Sequence, residues 1–143
     1  MKKIHGIYIV KSDGTPIFIQ DYHTQGSQHM DHILLTNFMN AFQSFATELG
    51  GEQLETIKFG DFKILMTKDQ LTNIRFAIRA DLKEKDKKLL PILRDIKNLF
   101  IQESTGKLYS NGEEKQKFLS SFEEKLHNLL NLQKNVESFL EKL

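Results

Sequence analysis

The stretch Leu54-Glu-Thr-Ile-Lys-Phe-Gly-Asp-Phe-Lys-Ile-Leu-Met66 decides the fold that this sequence predicts. Gly60-Asp61 at its centre is typical of a two-residue hairpin turn of type II′, in which glycine supplies the positive φ that the first central position needs. The register set by that turn creates the cross-strand pairs Phe59–Phe62, Ile57–Ile64 and Glu55–Met66 on one face and Lys58–Lys63 on the other. The first face is apolar except for one residue, whereas two like charges meet on the second and need water around them. The stretch therefore predicts a hairpin at the edge of a sheet that is packed on one side.

The beginning of the chain predicts another hairpin. Ile4 to Val10 is apolar on both faces of the strand that it would form, which is typical of the interior of a sheet covered on both sides. Asp13-Gly14 turns the chain, and Pro16 begins a strand at a position where its missing N–H costs little. A fifth strand follows the central hairpin, with Ile74, Phe76 and Ile78 on one face and Arg75, Ala77 and Arg79 on the other. We therefore expect five strands.

Three helices are predicted beside these strands. The N-terminal helix begins at Ser27 or Asp31, ends at Gly50-Gly51 and carries its apolar residues at helical spacing. For the second helix we place Pro91 in the first turn, because a proline deeper in a helix clashes with the carbonyl four residues back. The connector over 81–88 that precedes it is expected to be solvated.

The last predicted helix carries apolar residues at alternating spacings of three and four. The series is Leu119, Phe122, Leu126, Leu129, Gln133, Val136, Leu140 and Leu143, with one polar interruption. Such a seam either packs in the chain's own core or joins two copies of the chain in a coiled coil. Both interpretations stay open, and the second would make the chain a self-associating structural protein.

The composition is that of a globular domain. Of 143 residues, 27% are charged and 39% hydrophobic, and the net charge of +1 does not suggest a nucleic-acid partner. Because cysteine is absent, disulfides, thiolate metal ligands and thiol nucleophiles are excluded, which suits a cytoplasmic protein. No run approaches the roughly 20 apolar residues of a membrane span. We expect a single domain over residues 1–143 with no direct membrane insertion.

The sequence spells out no reaction. It contains no glycine-rich nucleotide cradle and no Gly-x-Ser-x-Gly nucleophile motif. The metal candidate is the pair His29 and His32, with Asp31 between them and His23 nearby. These residue types are also common as exposed polar groups around a helix start, and we favour that interpretation. We therefore predict no catalytic residue, no cofactor and no metal site.

A lysine cluster precedes the second helix. It consists of Lys83, Lys85, Lys87 and Lys88, interleaved with Glu84 and Asp86. The acidic residues favour a solvated connector, and contact with anionic lipid headgroups is the minority interpretation.

The predicted order, strand-strand-helix-strand-strand-strand-helix-helix, resembles the longin domain. Gly6-Ile-Tyr-Ile-Val-Lys-Ser-Asp-Gly-Thr-Pro-Ile-Phe-Ile19 is similar to the first hairpin of that superfamily, and Lys58-Phe-Gly-Asp-Phe-Lys-Ile-Leu65 to its third and fourth strands. The related roadblock arrangement starts with a helix, whereas none is predicted before Ile4. The resemblance covers essentially the whole chain, whose composition is similar to that of archaeal relatives. It implies an α+β fold, with a five-stranded antiparallel sheet sandwiched between one helix and two C-terminal helices.

Longin domains are non-enzymatic interaction modules, so the resemblance implies a protein partner. They occur in trafficking SNAREs, clathrin-adaptor small and medium chains, tethering-complex subunits and small-GTPase regulators. Their common docking surface is the groove between the N-terminal helix and the third strand. In this chain that groove corresponds to Leu35, Met39, Phe42, Thr56, Ile57 and Lys58.

These considerations predict a cytoplasmic scaffold or small-GTPase regulator in a trafficking-like system. Its partner would be a small GTPase or a SNARE-like or adaptor subunit. The coiled-coil motif and membrane anchor of longin SNAREs are not matched after Leu143, so we do not expect a membrane-fusion role. A homodimer through the last helix is the alternative.

Overall fold

The computed structural model of the chain describes residues 4–22, 54–58, 60, 62–104 and 112–141. Five strands and two helices lie within these ranges. They are, in chain order, β1 (Ile4–Val10), β2 (Pro16–Asp21), β3 (Leu54–Lys58), β4 (Phe62–Lys68), β5 (Arg75–Asp81), α1 (Asp86–Ser104) and α2 (Glu113–Glu141). The predicted N-terminal helix, from Ser27 or Asp31 to Gly50, lies outside the described residues.

The strands form one antiparallel sheet in the order β2-β1-β5-β4-β3. β1 pairs with β2 on one side and with β5 on the other, so the predicted interior position of the first strand is confirmed. The five-stranded antiparallel sheet together with the helices confirms the predicted α+β class.

The register of the central hairpin is the predicted one. Glu55 pairs with Met66, and the pairs Ile57–Ile64 and Lys58–Lys63 follow toward the turn. The turn itself includes Phe59 and Asp61, which lie outside the described residues. These are the pairs that a two-residue turn at Gly60-Asp61 predicts, and a slip of one residue would turn each side chain to the opposite face.

Both faces of the sheet are buried along its inner strands. The face that we call the Tyr8 face holds a cluster of Tyr8, Val10, Ile64, Met66 and Ala77, with Ile19, Ile57 and Phe62 packed against it. The opposite face, the Lys63 face, holds the buried residues Ile7, Ile9, Lys63, Leu65, Phe76 and Ile78. Since successive side chains of a strand point to opposite faces, strands that are apolar throughout belong in such a position.

Helix α1 begins five residues before Pro91, so the prediction that this proline lies in the first turn is wrong. The N–H groups of Lys88 and Leu89 both donate to the carbonyl of Lys85, at 3.0 and 3.2 Å, and so open the helix. Asp86 in the first turn is favourable there, because a carboxylate complements the positive end of a helix. The apolar residues that α1 buries offset the hydrogen bond lost at the proline.

The chain divides into two compact units at Leu93. In the second unit Phe100 lies against Phe118 and Phe122, with ring centroids 5.4 and 5.3 Å apart. Phe122 belongs to the predicted heptad seam, so the first part of that seam packs inside the chain's own core. A single domain over residues 1–143 stays a prediction.

Candidate partner-binding edge

Three of the six predicted docking residues lie on a strand at the edge of the described sheet. Thr56, Ile57 and Lys58 belong to β3, which among the described strands pairs with β4 alone. An edge strand presents N–H and C=O groups with which another strand can form hydrogen bonds. The other three predicted residues lie outside the described residues: Leu35, Met39 and Phe42. The groove between them and β3 therefore stays a prediction.

The side chains of the three predicted docking residues on β3 point to two different faces of the sheet. Ile57 is half-buried and packs against the cluster on the Tyr8 face. Thr56 and Lys58 point to the Lys63 face, since side chains alternate along a strand. There the hydroxyl of Thr56 donates a hydrogen bond to Oδ2 of Asp86, at 3.3 Å. The structure brings Thr56 and Lys58 together with the start of α1 and separates both side chains from Ile57.

Lys63 lies directly opposite Lys58. We predicted that water surrounds it, but the side chain is buried. Its exposed fraction is 4%, and its ammonium group donates to the carbonyl of Glu84 and to Oδ1 of Asp86, the latter at 2.5 Å. Burying a charge is costly unless hydrogen-bonded partners of opposite charge compensate it. The connector and the first residue of α1 supply these acceptors, and for that reason the expectation of water at Lys63 is wrong.

Asp86 is the centre of this group of side chains. The hydrogen bond from Lys63 lowers the pKa of the Asp86 carboxyl below its ordinary value, and the charges of Lys63 and Lys58 and the Thr56 hydroxyl act in the same direction. Partial burial acts against them, but the side chain keeps 48% of its surface exposed. The carboxylate is therefore ionised at neutral pH and links β3, β4 and the start of α1.

The sequence contains one signal for this ion pair. Two lysines that face each other across two strands are unfavourable, so one of them needs a carboxylate from elsewhere in the chain. Asp86 lies 23 residues from Lys63. Spacing alone does not indicate which acidic residue of the connector reaches back to the hairpin.

The Tyr8 face holds a second buried polar group. The hydroxyl of Tyr8 donates to Oδ1 of Asp21 at 2.8 Å, and burial, followed by that hydrogen bond, raises the pKa of Tyr8 well above its usual range. On the same face the guanidinium of Arg79, 3% exposed, lies 5.6 Å from the centroid of the Phe62 ring, a cation–π distance. A phenol held neutral between β1 and β2 fixes the pairing of these strands.

The described part of the chain holds no group of three or more His, Asp or Glu residues placed to bind a metal ion. The histidines considered above lie outside it: His23, His29 and His32. Within the described ranges, neither helix has the length and apolar character that crossing a bilayer requires.

No protein-family model matches this sequence, and no curated protein matches it. Known structures do match. A chain from a homology model of the full-length AP-3 complex in a stretched open conformation has a TM-score of 0.54 and 16% identity, and the match covers 98% of this chain and 99% of that chain. Myxococcus xanthus MglB has a TM-score of 0.46 and 13% identity, with coverage of 59% and 69%. A Roadblock/LC7 domain from Streptomyces avermitilis has a TM-score of 0.43 and 10% identity, with coverage of 59% and 72%.

We base the comparison of folds on the AP-3 chain, because that match extends over nearly all of both chains. At 16% identity the likeness is one of fold. It agrees with the fold that the sequence resemblance implies. The antiparallel order β2-β1-β5-β4-β3 places the first strand in the interior, as its apolar sequence predicts. The chain therefore has a longin-type fold.

Proposed function

We propose that this chain is a non-enzymatic protein–protein interaction module, acting in the cytoplasm as a scaffold or as a small-GTPase partner in a trafficking-like system. The observation that carries the proposal is the position of β3 at the edge of the described sheet, with three predicted docking residues in it. A partner strand can add to such an edge through main-chain hydrogen bonds. The longin-type fold supports this proposal, because longin domains are interaction modules.

β3 is held on both faces, which favours binding without rearrangement. Ile57 packs into the apolar cluster on one face, and Thr56 is hydrogen-bonded to Asp86 on the other. A strand that is ordered before binding loses less conformational entropy when its partner arrives. Exposed Lys58 adds a positive charge to this edge, so a partner with carboxylates beside its docking strand is favoured.

The test is affinity capture from the native host's lysate, followed by titration with the purified captured protein. The double variant Lys58→Glu/Met39→Asp reverses the charge on β3 and places a charge on the predicted helix, so we expect it to lose capture. The matched control Lys117→Glu/Leu71→Asp makes the same two kinds of change at exposed positions elsewhere and should retain it. Unchanged capture by the first variant would refute the placement of the site.

The nucleotide dependence of binding separates the two roles. If the captured protein is a small GTPase, its dissociation constant should differ between the GDP-bound form and a form loaded with a non-hydrolysable GTP analogue. Equal affinity for both forms would favour the scaffold role.

The alternative function is self-association through the last heptads of α2. Leu140 favours it, because this large apolar side chain of the seam is 59% exposed. Light scattering on the full chain measures its mass as a function of concentration. A dimer that Leu140→Glu converts to a monomer would support the alternative, and a monomer at high concentration would remove it.

A further inference from the structure

An exposed basic surface surrounds the start of α1. It consists of Lys58, Lys83, Lys85, Lys87 and Lys88, all of them exposed. Lys58 belongs to it because its strand partner Lys63 reaches Asp86, in the middle of the other four lysines. The end of β3 and the connector therefore lie side by side.

The interleaved acidic residues do not cancel this charge. The carboxylate of Asp86 is bound to buried Lys63 and to Thr56. With Lys63 included, six lysines stand against the three carboxylates of Asp81, Glu84 and Asp86. This excess of three positive charges is larger than the +1 of the whole chain, so the other residues are net negative. The lysines thus outnumber the acidic residues that favoured a solvated connector, and the charge of Asp86 is already compensated by buried Lys63.

The lysines also occupy an unfavourable place on their helix. Lys87 and Lys88 lie in the first turn of α1, and Lys85 precedes it. The partial positive charge of a helix lies at this end, where carboxylates are normally preferred and cations are disfavoured. A cluster of positive charges at such a place is electrostatically relieved when an anionic surface approaches it.

We propose that the basic surface binds the anionic headgroups of a lipid bilayer, so that the domain lies peripherally on a membrane. Lysines near the surface of an anionic leaflet each add a similar attraction, without a specific pocket. Of the described residues beside these lysines, no large apolar side chain is exposed, since Leu82 and Leu90 are half-buried and Leu89 is buried. The contact is therefore electrostatic and does not insert into the hydrocarbon layer.

The side chains favour lipid over an acidic protein. Lysine is depleted in protein–protein interfaces, whereas tyrosine, tryptophan and arginine are enriched in their anchors. The basic surface offers lysine alone. Its ammonium group is a strongly hydrated point charge on a flexible stem, suited to a diffuse layer of headgroups more than to the fixed geometry of a protein partner.

The test is flotation of the full chain with vesicles of phosphatidylcholine alone and of phosphatidylcholine mixed with phosphatidylserine. We expect binding to the mixed vesicles only, with loss as salt screens the attraction. The variant Lys83→Gln/Lys87→Gln should weaken binding about 25-fold, because each lysine contributes about a factor of five near an anionic surface. Lys83→Glu/Lys87→Glu should weaken it further. Lys83 and Lys87 are exposed, so neither variant should lower the unfolding midpoint, and the loss of Lys87 from the first turn of α1 should raise it slightly.

The matched control is Lys11→Glu/Lys68→Glu, which changes the net charge as Lys83→Glu/Lys87→Glu does, but beside the start of β5, at the opposite end of the sheet from the connector. It should bind the mixed vesicles almost as the unchanged chain does. Equal weakening by the control, binding that ignores phosphatidylserine, or absence of binding would overturn the proposal. Binding of soluble poly-glutamate with the vesicles ignored would overturn it as well and assign the surface to an acidic protein.

Discussion

Two buried polar side chains on opposite faces of the sheet, Tyr8 and Lys63, find their hydrogen-bond acceptors in different parts of the chain. On the Tyr8 face a neutral hydroxyl bonds Asp21 of the adjacent strand at 2.8 Å. On the Lys63 face an ammonium group bonds Asp86 of a helix at 2.5 Å, and needs the carbonyl of Glu84 as well. The hydroxyl of Tyr8 has its acceptor on the neighbouring strand, whereas the ammonium of Lys63 takes its acceptors from the connector and the start of α1. Packing should therefore dominate the energetics of the first pair, and charge those of the second.

The largest effect is expected at Gly6, beneath Tyr8. A Cβ at this position would lie 2.2 Å from the hydroxyl oxygen and 2.6 Å from Cζ of Tyr8, so the ring would have to move. We expect Gly6→Ala to lower the free energy of unfolding by about 3 kcal/mol, measured by urea denaturation. Ser12→Ala is the control, since this residue is exposed in the turn between β1 and β2. Equal effects of the two substitutions would contradict the packing of Tyr8 over Gly6.

Removing Asp86 should lower the free energy of unfolding more than removing Lys63. Asp86→Ala leaves the buried ammonium of Lys63 without its carboxylate, and we expect a loss of about 2 kcal/mol. Lys63→Met keeps an apolar stem and leaves Asp86 in contact with water, so it should cost less than about 1 kcal/mol. Urea denaturation of both variants checks the order. The reverse order would mean that Lys63 is solvated.

The pH dependence of the free energy of unfolding is a second test of the ion pair between Lys63 and Asp86. Because the pKa of Asp86 is lowered in the folded state from its ordinary value of 3.8, its contribution is fully present above that value and lost as the pH falls through the lower, folded pKa. The difference in unfolding free energy between the unchanged chain and Asp86→Asn should thus be constant above about pH 5 and shrink below pH 3.8. The pKa of Asp13 is also lowered, but its contribution to the pH dependence is the same in both proteins and cancels in this difference. A difference that stayed constant under acid conditions would contradict the ion pair.

The comparison also separates what the sequence could predict from what it could not. The register through Ile57 and Ile64 follows from the turn predicted at Gly60-Asp61, and the interior position of β1 follows from the apolar residues on both faces of that strand; both signals are local. The burial of Lys63 depends on an acceptor 23 residues away, and no local pattern reveals it. Pro91 was misplaced because apolar packing along α1 outweighs the local cost of proline. Of the candidate site, the sequence located β3, but not which face each of its side chains joins.

A small effect is expected from Tyr8→Phe, and it tests whether shape or hydrogen bonding matters more on the Tyr8 face. The substitution keeps the ring and removes the hydroxyl, so we expect a loss of about 1 kcal/mol. It also deletes the atom that a Cβ at Gly6 would strike first, while Cζ stays 2.6 Å from that position. Gly6→Ala/Tyr8→Phe should therefore cost less than the sum of the single changes, with a coupling on the order of 1 kcal/mol in a double-mutant cycle. Strict additivity would mean that the hydroxyl of Tyr8 does not lie over Gly6, and packing would then not separate the two faces of the sheet.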